Sequence, residues 1–179
     1  MQTQLFTKGK TNMKSIRKTS IYLAMVAMLL MGAFTGSAAA AGRPVPFNGS
    51  LQALEHSVFQ GPPPGILVVD ASGSGIATLL GQFTLTWNFI VNLADGTGAG
   101  PVSFTAANGD AIFSTSFGRS EPTDTPGVFH IVEIQTITGG TGRFAGAQGS
   151  FIVDRLTDLN TGLTSGSFHG TITSPGAAR

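Results

Sequence analysis

Alternation of apolar and polar side chains with a period of two dominates the chain from residue 47 onward. The clearest example is residues 82–92, in which the apolar positions are Phe83, Leu85, Trp87, Phe89 and Val91. Side chains two positions apart lie on the same face of a β-strand, so this segment predicts a strand with one buried face. No stretch of about 12 residues or more in this region has the spacing of an amphipathic helix.

Further strands are predicted on both sides of this one. They cover residues 44–55, 65–80, 128–137, 148–158 and 163–173, and residues 102–117 are predicted to form a hairpin. Asn108 and Gly109 can take the positive φ angles of a tight two-residue turn at its tip. The pattern therefore predicts an all-β, antiparallel, closed barrel of eight strands, with nine as the alternative, in one domain.

Glycine and proline mark the predicted interruptions. Gly73 and Gly75 indicate a bulge or a sharp bend within a strand. Residues 56–65, with three consecutive prolines, and residues 119–127, with two further prolines, are predicted to be loops.

The N-terminal part of the chain has the three parts of a secretory signal peptide. A basic stretch at residues 8–18 precedes an apolar run at residues 21–34, and small residues follow up to Ala41. The apolar run is shorter than the roughly 20 residues that a membrane-spanning helix needs. No cysteine is present, which disfavours a lipid anchor. We expect a signal peptide at residues 1–41, with a second potential translation start at Met13.

Removal of this segment changes the charge of the chain. The whole sequence carries a formal net charge of +1. All four lysines lie in the leader, however, and residues 42–179 have five arginines against nine acidic residues, a balance of −4. A lysine-free, acidic domain has no basic surface for phosphates, so we expect binding neither to nucleic acid nor, after cleavage, to membranes. The predicted location is secreted or periplasmic.

Two residues near the middle of the chain are candidates for proton transfer. Glu133 shares a strand face with Phe129 and Ile131, and that face lies either inside the barrel or on its outer surface. In the first case, burial among apolar groups would raise the pKa of Glu133 and suit it to acid–base catalysis. His130 lies on the opposite face of the same strand. The spacing of the three histidines does not match a metal site, so none is predicted.

A glycine-rich segment follows the strand at residues 128–137. Residues 140–145 match the Gly-x-Gly-x-x-Ala form of a dinucleotide-binding turn, which requires a helix directly after it. The residues that follow favour a strand, so we expect no cofactor. The same segment resembles the Gly-Gly-Thr-Gly-x-Phe-x-x-Ala-x-Gly segment of plant dirigent proteins and, more loosely, of allene oxide cyclases. The matching residues are Gly139, Gly140, Thr141, Gly142, Phe144, Ala147 and Gly149.

The resemblance implies an eight-stranded antiparallel barrel that commonly forms homotrimers and holds an apolar ligand. Secreted bacterial proteins with the same glycine-rich segment are also similar. The segment departs from dirigent proteins at Ala145, where they usually carry arginine, and at Ser150, where they usually carry tyrosine. Because the match is short, the resemblance transfers no catalytic residue to this chain.

Three functions fit these observations. The first is a non-enzymatic module that binds a small apolar ligand or assembles with itself, with Trp87, Phe89 and Phe113 as candidate ligand-binding residues. The second is an isomerase-like, cyclase-like or dirigent-like enzyme acting on a small apolar substrate, in which Glu133 or His130 moves a proton. The third is a structural protein of the cell surface. An internal cavity lined by Glu133 or His130 would favour the enzyme, whereas a barrel filled with phenylalanine would exclude both a pocket and an enzyme.

Overall fold

The computed structural model describes residues 43–173, which form an eight-stranded β-barrel; the predicted signal peptide lies outside the described residues. The strands are β1 (Val45–Gln60), β2 (Ile66–Ala77), β3 (Gly81–Asn92), β4 (Thr97–Ala106), β5 (Ala111–Pro122), β6 (Val128–Gly140), β7 (Gln148–Asp158) and β8 (Leu163–Thr173). A single 3₁₀ turn, Gly142–Phe144, separates β6 from β7.

Each strand pairs antiparallel with its neighbours in sequence, and β8 pairs with β1 to close the barrel. The period-two pattern is the cause, because alternate residues of every strand point inward and bury one continuous core. The prediction of a closed antiparallel barrel is confirmed, with eight strands. Side chains of Phe83, Leu85, Trp87 and Phe89 point inward, as expected.

The proline-containing segments are more ordered than the sequence predicted. β1 continues to Gln60 and pairs with β2 as far as Ile66, so only residues 61–65 connect the two strands. β5 likewise continues to Pro122. The predicted loops at residues 56–65 and 119–127 are therefore only partly confirmed, because residues 61–65 and 123–127 are connections whereas residues 56–60 and 119–122 belong to strands. Pro122 is tolerated as the last residue of β5, where its missing N–H is not needed.

Two local predictions also need correction. The hairpin turn at Asn108 and Gly109 spans residues 107–110, and Gly109 has a positive φ of 87° while Asn108 does not. The pairing of β2 with β1 runs without interruption through Gly73 and Gly75, so neither forms a bulge. The register shift lies instead between Phe113 and Ser114 of β5, opposite the end of β6.

One end of the barrel is filled with aromatic rings. The ring centroids of Phe47 and Phe151 lie 5.1 Å apart, and those of Phe151 and Phe168 lie 5.2 Å apart. Phe104 packs edge-on against Phe151, at 5.7 Å between centroids. Phe144, from the 3₁₀ turn, is completely buried in the same cluster. This phenylalanine cluster closes one end of the barrel and leaves the other end for a site.

The glycine-rich segment closes this filled end. Thr141 is held to the start of β5 by two hydrogen bonds, since its N–H donates to the Ala111 carbonyl and its Oγ1 accepts from the Ala111 N–H. Gly142 has a φ of 55°, and a Cβ there would overlap the Asp110 carboxylate. Only glycine satisfies both conditions without rearrangement. The turn in this way directs Phe144 into the core.

Candidate functional site

The opposite end of the barrel contains a pocket of about 100 Å³. It lies where β1 ends, β2 begins and the connections at residues 93–96 and 159–162 cross the rim. The pocket reaches the surface, because the side chains at its rim, Leu93 and Leu159, are exposed. The sequence alone did not decide whether the barrel contains such an internal space.

The walls of the pocket are apolar. They are formed by Leu67, Val69, Phe89, Val91, Leu93, Phe129, Ile131 and Leu159. On β4 and β5 the inward positions are occupied by Gly98 and Gly118, so that backbone lines the pocket there. A Cβ at Gly98 would meet its nearest neighbour, Val91 Cγ2, at 3.2 Å. The missing side chain at Gly98 therefore helps to create the space.

The floor of the pocket carries three buried charged groups. Arg155 Nη1 donates to Glu55 Oε1 at 2.6 Å, and Arg155 Nη2 donates to Glu133 Oε1 at 2.9 Å. The three side chains come from β7, β1 and β6, and none is more than 7% exposed. Buried charges are tolerated only when they are paired and hydrogen-bonded, which the arrangement achieves. We refer to Glu55, Glu133 and Arg155 as the charged floor.

Two threonine hydroxyls complete the surroundings of the guanidinium. Arg155 Nη1 also donates to Thr157 Oγ1 at 2.6 Å and to Thr164 Oγ1 at 2.9 Å. Thr164 in turn donates to the Leu156 carbonyl at 2.9 Å. The Arg155 guanidinium also lies over the Trp87 ring, 5.2 Å from its centroid. Arg155 is thus held by contacts with four strands and has a fixed position.

Burial changes the acid–base properties of the charged floor. It raises the pKa of the Glu55 carboxyl above its ordinary value, and the attraction of Arg155 only partly opposes this. For Arg155, burial acts against the charge, but the carboxylates of Glu133 and Glu55 outweigh it and raise the pKa of the guanidinium. The floor contains two carboxyls and one guanidinium, so it has one surplus negative charge when both carboxyls are ionised.

The two proton-transfer candidates are separated by the barrel wall. Glu133 points inward and lines the pocket, which resolves the alternative that the sequence left open. Its carboxylate contacts a guanidinium, however, where the sequence predicted only apolar surroundings. His130 lies on the outer face, where its Nε2 is 2.9 Å from Asp154 Oδ1. Odd spacing on one strand places the two on opposite faces, so His130 is not part of the pocket.

The three aromatic candidates also occupy different places. Phe89 lines the pocket, and Trp87 lies beneath it, with the two rings stacked at 5.8 Å between centroids. The indole Nε1 of Trp87 has no hydrogen-bond partner among the described residues. Phe113 is 40% exposed on the outer face, so it does not line this pocket. The inward positions beside it carry Ser114 and Ser116, and the apolar face of this strand is the outer one.

Sequence reasoning missed Glu55 and Arg155. Both occupy the inward phase of their strands, Glu55 after Leu51 and Ala53, and Arg155 after Phe151 and Val153. A signal was therefore present, namely opposite charges that follow buried apolar positions on separate strands. The glycine-rich segment, in contrast, contributes to the filled end of the barrel and not to the pocket.

Within residues 43–173, no group of three or more histidine, aspartate or glutamate side chains is arranged to hold a metal ion. In the described part of the chain, no helix is long and apolar enough to cross a membrane. Comparison with protein-family models, with curated proteins and with solved structures returns no match for this chain.

Proposed function

We propose that the protein binds a small apolar molecule in the open end of its barrel. The observation that carries the proposal is the pocket itself, whose apolar walls surround a buried charged floor. Ligand sites are typically concave and mainly apolar, with few polar groups that fix orientation. The volume of about 100 Å³ compares with about 150 Å³ for a cavity that takes benzene. A ligand with one aromatic or alicyclic ring fits this size if part of it extends into the mouth.

The division of the barrel into two ends supports a binding role. The phenylalanine cluster fills one end of the barrel, whereas the other end keeps an unfilled apolar space. In the open half, Gly98 lines the wall at a position where a larger side chain would project into the pocket and bury more apolar surface. Protein interiors are normally close-packed, so an apolar pocket that is left unfilled is typical of a ligand-binding site.

Trp87 provides a direct assay, because it is the only tryptophan in the sequence. Its ring contacts both Phe89 of the pocket wall and Arg155 of the charged floor. Titration with benzyl alcohol, chosen as a one-ring probe, should give a saturable change in its fluorescence. Gly98→Leu and Val91→Phe, which fill the pocket from neighbouring strands, should abolish the change. Ala99→Leu, on the outer face next to Gly98, is the matched control and should retain it.

A second candidate is an enzyme that moves a proton on an apolar substrate. It is favoured by the raised pKa of Glu55 at the floor of an apolar pocket, since a carboxyl tuned toward neutral pH can act as an acid or a base. In this hypothesis Glu55, with Glu133 beside the same guanidinium, performs the role that the sequence assigned to Glu133 or His130. Solvent deuterium incorporation into a bound carbonyl probe, lost in Glu55→Gln, would support it. Binding without any exchange would favour the non-enzymatic module.

The outside of the barrel carries an apolar surface through which copies of the chain could associate. Ile90, Ala99, Phe117, Ile134 and Ile152 lie opposite one another in register across β3 to β7, all pointing outward. Contiguous exposed apolar residues are typical of interaction sites. Sedimentation at micromolar concentration should show an oligomer that Phe117→Ser dissociates and Thr115→Ser does not. A monomer at these concentrations would exclude assembly through this face.

Membership of the dirigent and allene oxide cyclase-like group stays a prediction. It is supported by the number and direction of the strands, which the resemblance implied, and by an apolar pocket in the barrel. The location outside the cytoplasm likewise rests on the predicted signal peptide.

A further inference from the structure

The charged floor favours one class of ligand over others. We infer that the pocket selects a small apolar amine, whose ammonium group contacts the Glu55 carboxylate while its apolar part lies against Phe89 and Phe129. This inference rests on the proposed binding function and adds the chemical class of the ligand. It follows from the charge balance and the hydrogen bonds of the charged floor.

The positive charge of Arg155 is already shared by the two carboxyl groups of the floor. Arg155 Nη1 is shared by Glu55, Thr157 and Thr164, and its Nη2 is taken by Glu133. A carboxylate entering the pocket would be a third anionic group beside a single guanidinium. It would also approach two carboxyl groups of like charge, which costs free energy in a buried site. Fatty acids and other anions are therefore disfavoured.

The carboxyl groups, in contrast, retain acceptor capacity. A carboxylate has two oxygens and can accept about four hydrogen bonds. Arg155 contacts one oxygen of Glu55 and one of Glu133, in each case Oε1. An ammonium group donates three hydrogen bonds and carries one positive charge, so it would neutralise the single surplus charge of the floor. A neutral alcohol could donate a hydrogen bond but could not balance that charge.

Other charged groups around the pocket do not supply this balance. Arg119 lines the mouth, but it is exposed and its Nε donates to the Asp95 carbonyl at 3.1 Å. Water therefore screens Arg119 from the buried floor. The inward positions of β2 and β3 at the pocket are apolar, and β8 contributes the uncharged Thr164. The surplus charge has to be met by a proton or by a ligand cation.

Competition between a proton and the ligand cation makes binding depend on pH. Because burial raises the pKa of Glu55, the free protein holds a proton there over a wider pH range than an exposed glutamate would. An ammonium ion has to displace this proton, whereas a neutral ligand does not. Amine affinity should therefore rise with pH through the range in which Glu55 ionises, and the affinity of a neutral isostere should change little.

The test compares benzylamine, benzyl alcohol and benzoate, which share one ring and differ in charge. Calorimetric titration of the whole protein at pH 8 should give an amine affinity higher than that of the alcohol by about 10–100-fold, the range for a hydrogen bond to a charged group. Benzoate should not bind. Glu55→Gln keeps the size and an acceptor oxygen, and it should remove the amine preference while leaving the alcohol affinity nearly unchanged.

Glu121→Gln is the matched control, since it removes one exposed carboxylate from the outer face and should leave the amine preference intact. Wild-type titrations at pH 8 and pH 5 test the pH dependence even if Glu55→Gln does not fold. Binding of the alcohol without preference for the amine, or equal binding of benzoate, would overturn the inference and leave the proposed function standing. If none of the three probes binds to the folded protein, both are overturned.

Discussion

Arg155 Nη1 donates a 2.6 Å hydrogen bond to Glu55 Oε1 across 100 positions of sequence, and both side chains are only 4% exposed. The contact joins β7 to β1 inside the barrel, although the two strands are not neighbours in the sheet. It also fixes the floor of the pocket, because the same guanidinium reaches Glu133 on β6. The stability of the fold and the chemistry of the site therefore depend on one cation.

Arg155→Met removes this cation and leaves two carboxyl groups buried without a partner. We expect a loss of unfolding free energy of about 3–5 kcal/mol at pH 7. The loss should shrink near pH 4, because burial raises the pKa of Glu55 and its carboxyl, once protonated, needs the cation less. Denaturant unfolding at both pH values measures the effect. Arg119→Met, at the exposed mouth, is the control and should cost little; equal losses for the two variants would contradict a structural role for the charged floor.

The pH dependence of stability reports on Glu55. Its pKa is raised in the folded protein, so between the unfolded and folded values the folded state binds more protons. Unfolding free energy should therefore fall as pH rises from the ordinary carboxyl range through the raised pKa of Glu55, and then become level. Glu55→Gln lacks this proton, so its stability relative to wild type should increase over that range. A difference that is constant from pH 4 to pH 8 would rule out a raised pKa.

The strands were predictable because period-two alternation is a local property of the sequence. The face that each strand buries was less predictable, because the outer face is also rich in apolar residues. Ile134 and Ile152 point outward beside the inward Glu133 and Val153. A sequence with apolar residues in both phases does not reveal which charge is buried. For this reason the location of Glu133 stayed open and Arg155 was not recognised.

The orientation of the aromatic residues gives a second kind of test. Phe89→Ala should cost about 3–5 kcal/mol of unfolding free energy, because it leaves a cavity beside Trp87. Phe113→Ala should cost no more than about 1 kcal/mol, since Phe113 lies on the outer face of the barrel. Thermal or denaturant unfolding distinguishes the two. A larger loss for Phe113 would mean that the inward and outward faces of β5 are exchanged.

Two substitutions test the role of the glycine-rich segment. Both replace a glycine with positive φ, but only one of them would place a Cβ against neighbouring atoms. Gly142 and Gly146 both have positive φ, at 55° and 73°. A Cβ at Gly142 would overlap the Asp110 carboxylate, whereas one at Gly146 would meet nothing within 4 Å. Gly142→Ala should therefore destabilise the barrel more than Gly146→Ala, which should cost about 1 kcal/mol. Equal effects would show that the contact with Asp110 is unimportant.

From the sequence, the proline-containing connections between strands could be predicted only as interruptions of the period-two alternation. Their positions at the open end follow from the topology, since the connections at residues 61–65, 93–96, 123–127 and 159–162 all lie at that end of the barrel. Which end would be filled depended on the packing of Phe47, Phe144 and Phe168, which are far apart in sequence. Contacts of this range cannot be derived from local periodicity, so the pocket was found only in the fold.

The most direct test of a ligand pocket is a crystal structure of the protein grown with saturating benzylamine or benzyl alcohol. We expect electron density for the ring between Phe89 and Phe129, with the polar group of the probe directed toward Glu55. The same probes should leave the pocket unoccupied in crystals of Gly98→Leu. Density for the probe only on the outer surface of the wild-type barrel, with the pocket collapsed or filled by its own side chains, would contradict a ligand pocket at this end of the barrel.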